Sequence, residues 1–414
     1  RNTDKEAVNI GKVNRERWAA NVKAMEIASK PIEDITEDER EFLRESYTSM
    51  GGLLPKGFNG GAFFTPTHVT KFIWDVLRDR LPTSPRILEP SVGSGVFLEH
   101  APDDAEITAL ELDETSAKVT SVLYPDANVI QGDALLHDRH DYYDVVIGNP
   151  PFGEAIAVPA EEAPHLADWQ TLTKRKKNGQ HVYGAKSEAA FIELAVRSAK
   201  PGGYIAFVLP KGIAFNSQSA KVRKLLYDTC WHLATVMLPG ETFQHVGTTI
   251  ETQILIVRKA TPNAKKIPAV TKRWGSNFCR SDFGDLAGHT AEYFEGQPPA
   301  YFAKVTDIGW DDKGRNTDKW GDGQTQLDEL TDDFTDGGLM RENLYPHVPS
   351  WHGVDKGAEA FMFSHGNDLC DGHRDAQATF ADGPYRWNEL TLGAGEEVAC
   401  TATGAERSTF DLSW

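Results

Sequence analysis

The sequence predicts an α/β fold: a doubly wound, mostly parallel sheet, preceded by a helical segment and followed by a smaller irregular or β-rich region. Three observations carry that prediction. Apolar β-forming runs alternate with segments of helical period between Thr65 and Lys259. Seven of those runs read as strands. Beyond about Pro268 the periodicity fades while Gly, Asp and Trp rise. The expected divisions are 1–60, 61–265 and 266–414.

Residues 1–50 read as helical, and Thr36 with Glu39 three positions on has the form of a capping box. A glycine-rich loop follows, with Pro55, Gly57, Gly60 and Gly61. The stretch TPTHVTKFIWDVLRDRL then places Val69, Phe72, Ile73, Val76 and Leu77 on one helical face. Past Pro82 and Pro85, Ile87-Leu88 reads as a strand, Val96 to His100 as helix and ITALEL as a strand. Ser116 to Leu123 reads as a helix, and NVI and YDVVIG as the third and fourth strands. Residues 154–186 read as a polar loop and 187–200 as a helix, followed by the strand YIAFVLP. A helix over 217–229 precedes WHLATVMLP and TQILIVRK, closing strands expected to pair antiparallel.

At 414 residues the chain can build one sizeable α/β domain with a companion. No run approaches the roughly 18 apolar residues of a membrane span. The chain starts at Arg1 without a signal-peptide pattern, which suggests a processed chain or an excerpt from a longer polypeptide. Cys230, Cys279, Cys370 and Cys400 form no disulfide framework, so a reducing cytoplasm is expected. The formal net charge is −18, of which residues 271–414 carry −14. That acidic balance argues against a nucleic-acid partner, and fits instead adaptation to high salt or a tail that meets another protein.

The chemistry begins at RILEPSVGSGVFLEH. Glu89, Pro90, Gly93 and Gly95 fall just after a strand, where open α/β sheets bind ligands. A carboxylate in that turn repels a pyrophosphate and suits a cation. Glu111 closes ITALEL, where an acid can accept both hydroxyls of a ribose, and Asp133 in IQGDAL can hold an adenine amine. A cationic ligand carrying ribose and adenine is S-adenosylmethionine. Each acid alone reads equally as a solvated turn residue. Three at successive strand ends beside a glycine turn point to a cofactor cleft.

The fourth strand ends in Asn149, Pro150, Pro151 and Phe152. The Asn149 side chain and the Pro150 main chain offer two oxygen acceptors that the prolines hold still. Aimed at an exocyclic amine, they bind both of its hydrogens and favour a nucleophilic nitrogen. Phe152 offers a flat face to a ring drawn from its stack. A proline-stopped strand with a core Phe explains the prolines, but not a polar Asn at the ligand edge of the sheet.

EPSVGSG, ELD, QGDA and NPPF in this order resemble the γ-arrangement DNA methyltransferases that make N6-methyladenine. GAFFTPTHV (61–69) resembles their cofactor-capping segment, and LPGETFQHVGTTIETQILIVRK (238–259) their last catalytic segment. AKSEAAFIELAVRSAKPGGYIAFVLPKGI is similar to type I modification subunits. ITEDEREFLRESYTSMGGL together with AFFTP is similar to large phage and plasmid methyltransferases that can carry helicase domains. The resemblance covers residues 35–260 and implies a seven-stranded Rossmann-like methyltransferase domain at 61–265, with a target-recognition or partner-binding region at 266–414.

It further implies that Thr65, Pro66, Glu89, Pro90, Gly93, Gly95, Glu111, Asp133 and Pro151 bind S-adenosylmethionine. Asn149, Pro150, Pro151 and Phe152 would be catalytic, and Phe243 a second ring stacking the flipped adenine. Ala134 stands where some relatives carry an aromatic, which leaves Leu112, Leu135 or Leu136 to sandwich the cofactor's adenine. The implied substrate is double-stranded DNA, with a specificity, helicase or nuclease subunit as candidate partner and no metal.

RNA and protein glutamine are alternative substrates, since the same tip serves any planar amine or amide. A non-catalytic binding subunit is a third reading. TKRKKNG (173–179) is either a phosphate-binding lid or a solvated basic loop. His365, Cys370 and His373 lack the second Cys pair that a zinc site requires. Trp310, Trp320 and Trp351 read as anchors of the tail rather than base-stacking groups.

Overall fold

Four short β-branched and aliphatic runs, Ile87-Leu88, Ile107 to Leu110, Val129-Ile130 and Val145 to Ile147, set the parallel half of the sheet. The computed structural model describes residues 16, 18–47, 65–214, 216–246, 250–268, 292–294, 301–311, 317, 319, 324–333, 385–386, 397–400 and 408–411.

Helices α1 (18–28) and α2 (Glu37–Ser46) come first. The expected capping box is present: Glu39 N–H donates to Thr36 Oγ1 at 3.3 Å, and Thr36 N–H to Glu39 Oε2 at 3.1 Å. Helix α3 (Thr67–Leu77) buries Val69, Phe72, Ile73, Val76 and Leu77, the face that the periodicity predicts. Strands β1 (Arg86–Glu89) and β2 (Glu106–Glu111), helix α4 (Glu114–Leu123), and strands β3 (Asn128–Gln131) and β4 (Tyr143–Gly148) follow. Leu43 and Tyr47 pack against Val119 and Val122 of α4, and the Tyr47 hydroxyl lies 2.7 Å from Ser116 Oγ. The amino-terminal helices thus brace the outside of this half of the sheet.

The polar stretch 154–186 is not a loop. It forms a three-stranded antiparallel sheet of β5 (Ala155–Pro159), β6 (Thr173–Lys177) and β7 (Gln180–Lys186), in the order β5-β7-β6. Asn178 and Gly179 join β6 to β7 with φ of +50° and +86°, the positive pair that a two-residue type I′ hairpin requires. The polar residues that suggested a loop line an exposed edge strand.

The chain continues through α5 (Ser187–Ser198), β8 (Ala199–Pro210), α6 (Ala220–Thr229), β9 (Cys230–Leu238) and β10 (Thr252–Lys259). Beyond these lie the short strands β11 (Lys266–Pro268), β12 (Glu292–Phe294) and β13 (Tyr301–Lys304), helix α7 (Gln326–Asp333), and strands β14 (Tyr385–Arg386), β15 (Glu397–Cys400) and β16 (Ser408–Asp411). Val96 to His100 forms turns rather than the expected helix, with Leu98 N–H donating to Gly95 O three residues back at 2.8 Å.

The main sheet runs β3-β2-β1-β4-β8-β10-β9-β13-β14. Its first seven strands are those expected, and β10 is antiparallel to both β8 and β9. Strand β13 adds parallel to the β9 edge, so the sheet extends into residues beyond 265. Side chains of α5 and α6 bury one face, and those of α3 and α7 the other, which is the doubly wound arrangement. Strand order reverses between β2 and β4 on either side of β1, which opens a crevice at their carboxyl ends.

Candidate active site

At that crevice β1 ends in Glu89, and the turn after it is shaped by Gly93 and Gly95, with φ of +58° and +86°. A Cβ on Gly95 would sit 2.8 Å from Tyr124 Cδ2, so the position excludes any side chain. The Thr120 hydroxyl donates to Gly93 O at 2.7 Å, and Val92 N–H to Leu110 O at 3.0 Å, tying the turn to α4 and β2.

Three carboxylates converge here in different states. Glu89 is 1% exposed, and its Oε2 has no hydrogen-bond partner in the protein. Burial, then the charge of Glu111, raises its carboxyl well above the usual range. Burial also raises Glu111, against the backbone bonds it accepts from Asp113 N–H at 2.9 Å and Gly93 N–H at 2.8 Å. Each Glu111 oxygen holds one protein donor and keeps capacity for another. Asp133 accepts from Leu135 N–H through Oδ1 at 2.9 Å, leaving its second oxygen to a ligand.

A cavity of about 250 Å³ joins Glu111 and Asp133 to the β4 tip, with Glu89, Gly95, Pro150 and Phe152 behind its wall rather than on it. Pro90, Gly93, Glu111, Asp133, Asn149 and Pro151 all line it. Leu112 and Leu135 line it as well, while Leu136 does not and is 44% exposed. The sequence pointed to no site role for Ser91, Gly132, Glu154, Ala155, Ile156, Ser187 or Phe191, which with Ala134 complete the wall. The AKSEAAF stretch was the available signal for Ser187 and Phe191, but nothing in its pattern shows that α5 starts against the tip.

That start holds the tip from behind. The Ser187 hydroxyl, fully buried, donates to Pro151 O at 2.7 Å. Gly153 N–H donates to Glu188 Oε2 at 2.9 Å, and Lys186 Nζ to Gly153 O at 2.9 Å. From the front, the Ser91 hydroxyl donates to Asn149 O at 3.4 Å.

Not every expected residue lies at the cavity. Thr65 and Pro66 open α3 away from its wall, where Thr67 Oγ1 lies 2.9 Å from His100 Nε2. Gly61 to Phe64, from the expected capping segment, fall outside the described residues, as do Trp320, Trp351, His365, Cys370 and His373. Phe152 is 9% exposed and Phe243 fully buried, both in the core cluster beneath α3. In this conformation Phe243 presents no open face to a base, because the turn that carries it folds into the apolar layer. Trp310 is an anchor, its indole donating to Glu241 O at 2.8 Å. Among the described residues, no three His, Cys, Asp or Glu side chains are grouped to hold a metal, and no helix is long and apolar enough to cross a membrane.

Residues 33–273, more than half of the chain, match the family model described as N-6 DNA Methylase. The chain belongs to that family. Defense against restriction protein B of Escherichia phage P1 is 26% identical over 262 residues, 62% of this chain and 11% of the phage protein. Type II methyltransferase M.CvrRI of Paramecium bursaria Chlorella virus XZ-6E is 26% identical over 210 residues, covering 49% of this chain and 50% of its own length. The type I restriction enzyme EcoEI methylase subunit of Escherichia coli is 26% identical over 257 residues, 56% of this chain and 49% of the subunit. The chain therefore spans half or less of the length of these relatives. Among solved structures, the type I restriction-modification methyltransferase subunit from Streptococcus thermophilus aligns with a TM-score of 0.46 at 18% identity, covering 66% of this chain and 53% of that one.

For this N-6 DNA methylase family member the implied cofactor is S-adenosylmethionine, and the donor set fits it. The buried orphan oxygen of Glu89 matches a cation, the spare lone pairs of Glu111 a diol, and Asp133 with Leu112 and Leu135 an adenine.

Proposed function

We propose that the chain methylates the N6 amine of an adenine in double-stranded DNA. The observation that supports this best is the shared cavity: Asn149 and Pro151 of the tip line the same space as Glu111 and Asp133. S-adenosylmethionine held there by Glu111 and Asp133 would supply an electrophilic sulfonium methyl to the amine nitrogen, the C–S electron pair remaining on sulfur and the displaced amine proton passing to solvent.

The side chains do the positioning. The Asn149 amide oxygen and the Pro150 carbonyl accept the two amine hydrogens, which localises the lone pair on nitrogen. Both prolines, with Ser187, Glu188 and Lys186 behind them, keep those acceptors from relaxing as charge builds. Glu111 and Asp133 set the ligand's ribose and adenine ends, and Glu89 complements its positive charge. Phe152, packed in the core cluster beneath α3 in this conformation, meets the target base only once its ring turns outward. A partner that supplies sequence specificity, in the manner of a modification system, completes this reading, with the region after residue 266 as its docking or recognition element.

The test uses the purified chain and S-adenosylmethionine labelled in its methyl group, offered unmethylated duplex DNA, RNA and protein in parallel. Label recovered as N6-methyladenine from DNA supports the proposal. Label confined to RNA or to protein overturns it, and tight cofactor binding without transfer favours a non-catalytic subunit.

A further inference from the structure

Strand β6 carries Lys174, Arg175, Lys176 and Lys177 in succession, on a chain whose net charge is −18. All four are exposed, on the outer edge of the three-stranded sheet. None lies within ion-pair distance of a described carboxylate. Several other exposed lysines are ion-paired, Lys71 with Asp75, Lys118 with Glu114 and Lys224 with Asp228, whereas β6 gathers four cations in succession.

An edge strand needs charge to block pairing with other chains, but not charge of one sign only. Successive residues of a strand are about 3.3 Å apart, and duplex DNA carries one phosphate per roughly 3.4 Å along each strand. Cations on one side of β6 therefore recur about every 6.6 Å, close to one for every second phosphate of a backbone strand. The register puts Arg175 opposite Val182 and Lys176 opposite His181, so the cations splay above and below the edge as a ridge.

One cation of the ridge is held in place. Arg175 Nη2 donates to Ile156 O at 3.3 Å, and its guanidinium lies over Gly184, where a Cβ would meet Arg175 Nε at 2.8 Å. The bare glycine is what lets the guanidinium lie flat across the sheet. Both chain connections of the sheet reach the catalytic tip at one end, where Ala155 pairs with Lys186, and the β6–β7 turn lies at the other. Strand β5 leaves Pro151 and Phe152 and lines the cavity with Ala155 and Ile156, and β7 runs into Ser187, which holds Pro151 O.

We propose that β6 is a phosphate-binding ridge, on the sheet that extends from the catalytic tip, that grips the backbone of double-stranded DNA and so registers a base over Asn149. This inference rests on the adenine-methylation reading and assigns it a substrate-docking surface. The likeness in charge spacing extends to duplex RNA, which the experiment separates.

The test measures binding of fluorescent duplex DNA and duplex RNA to the whole chain across a salt series, for wild type and for Lys176→Gln/Lys177→Gln. Both side chains are exposed beside the hairpin turn, and an unchanged melting temperature and cofactor affinity verify the fold. The expected result is a plot of log K against log salt that flattens by about 0.9 for each phosphate no longer neutralised. At about 0.1 M salt, affinity should fall on the order of tenfold per phosphate. If wild type binds and methylates DNA while the variant keeps its affinity and slope, the ridge is refuted and the catalytic reading stands. If the wild-type chain prefers duplex RNA, or labels only RNA or protein, both fall together.

Discussion

Replacing Glu89 with Gln tests the charge logic of the cleft. The side chain is 1% exposed, its Oε2 is unpartnered, and burial together with Glu111 raises its carboxyl well above the ordinary 4.5. The folded apo protein therefore keeps a proton that the unfolded chain has already released, so apo stability falls as pH rises from 4.5 toward the raised value. Gln keeps the shape and removes the titration, so the apo variant should melt no lower than wild type at pH 8 and should lose that slope. A cationic ligand reverses the preference, because it stabilises the ionised form. Removing one buried charge-assisted interaction costs about 1.5–3 kcal/mol, or roughly 10- to 150-fold in Kd. Calorimetric titration with S-adenosylmethionine at pH 6 and pH 8, alongside thermal melts, measures both quantities. Affinity should strengthen with pH in wild type and be weak and flat in Glu89→Gln. Unchanged affinity, or a variant that simply melts lower, would refute the assignment of Glu89 to a cation.

Ser187→Ala removes the buried donor to Pro151 O and leaves that carbonyl unsatisfied, a loss of about 1–3 kcal/mol; turnover should drop with little change in cofactor affinity, read by steady-state kinetics and titration. Phe243→Ala empties a fully buried site and should cost about 3–5 kcal/mol of stability in denaturant melts. A variant of Phe243 that keeps its stability while losing only affinity for DNA would show instead that the ring opens to a base. Gly95→Ala forces a Cβ against the Tyr124 ring in a left-handed turn, so it should lower both melting temperature and cofactor affinity, and no change in either would contradict the packing described.

The fold was legible where periodicity is strong. Ile87-Leu88, ITALEL and YDVVIG announce buried strands, and the Thr36–Glu39 spacing announces a helix start that the structure reproduces. The hairpin over 173–186 was hidden because its edge strand carries Lys and Arg rather than alternating apolar residues. Its Asn178-Gly179 turn was nevertheless written in the sequence. Val96 to His100 has helical composition, but Gly93 and Gly95 impose a turn geometry that a five-residue segment cannot override. The acids of the cleft were legible because strand ends converge by topology. Ser187 was not, because its role depends on a hydrogen bond to Pro151 that joins residues 36 positions apart in the chain. Burial of Phe243 was equally hidden, since an aromatic after a turn looks the same whether it faces a base or the core.

The most direct measurement of the central claim is the modified-base content of DNA from cells that lack adenine methylation and express this chain. Nucleoside mass spectrometry and base-resolution mapping should find N6-methyladenine with the wild-type chain, and none with Asn149→Ala at equal protein level. Unmodified DNA from cells holding folded, cofactor-binding protein, or equal methylation by the Asn149→Ala chain, would contradict the account.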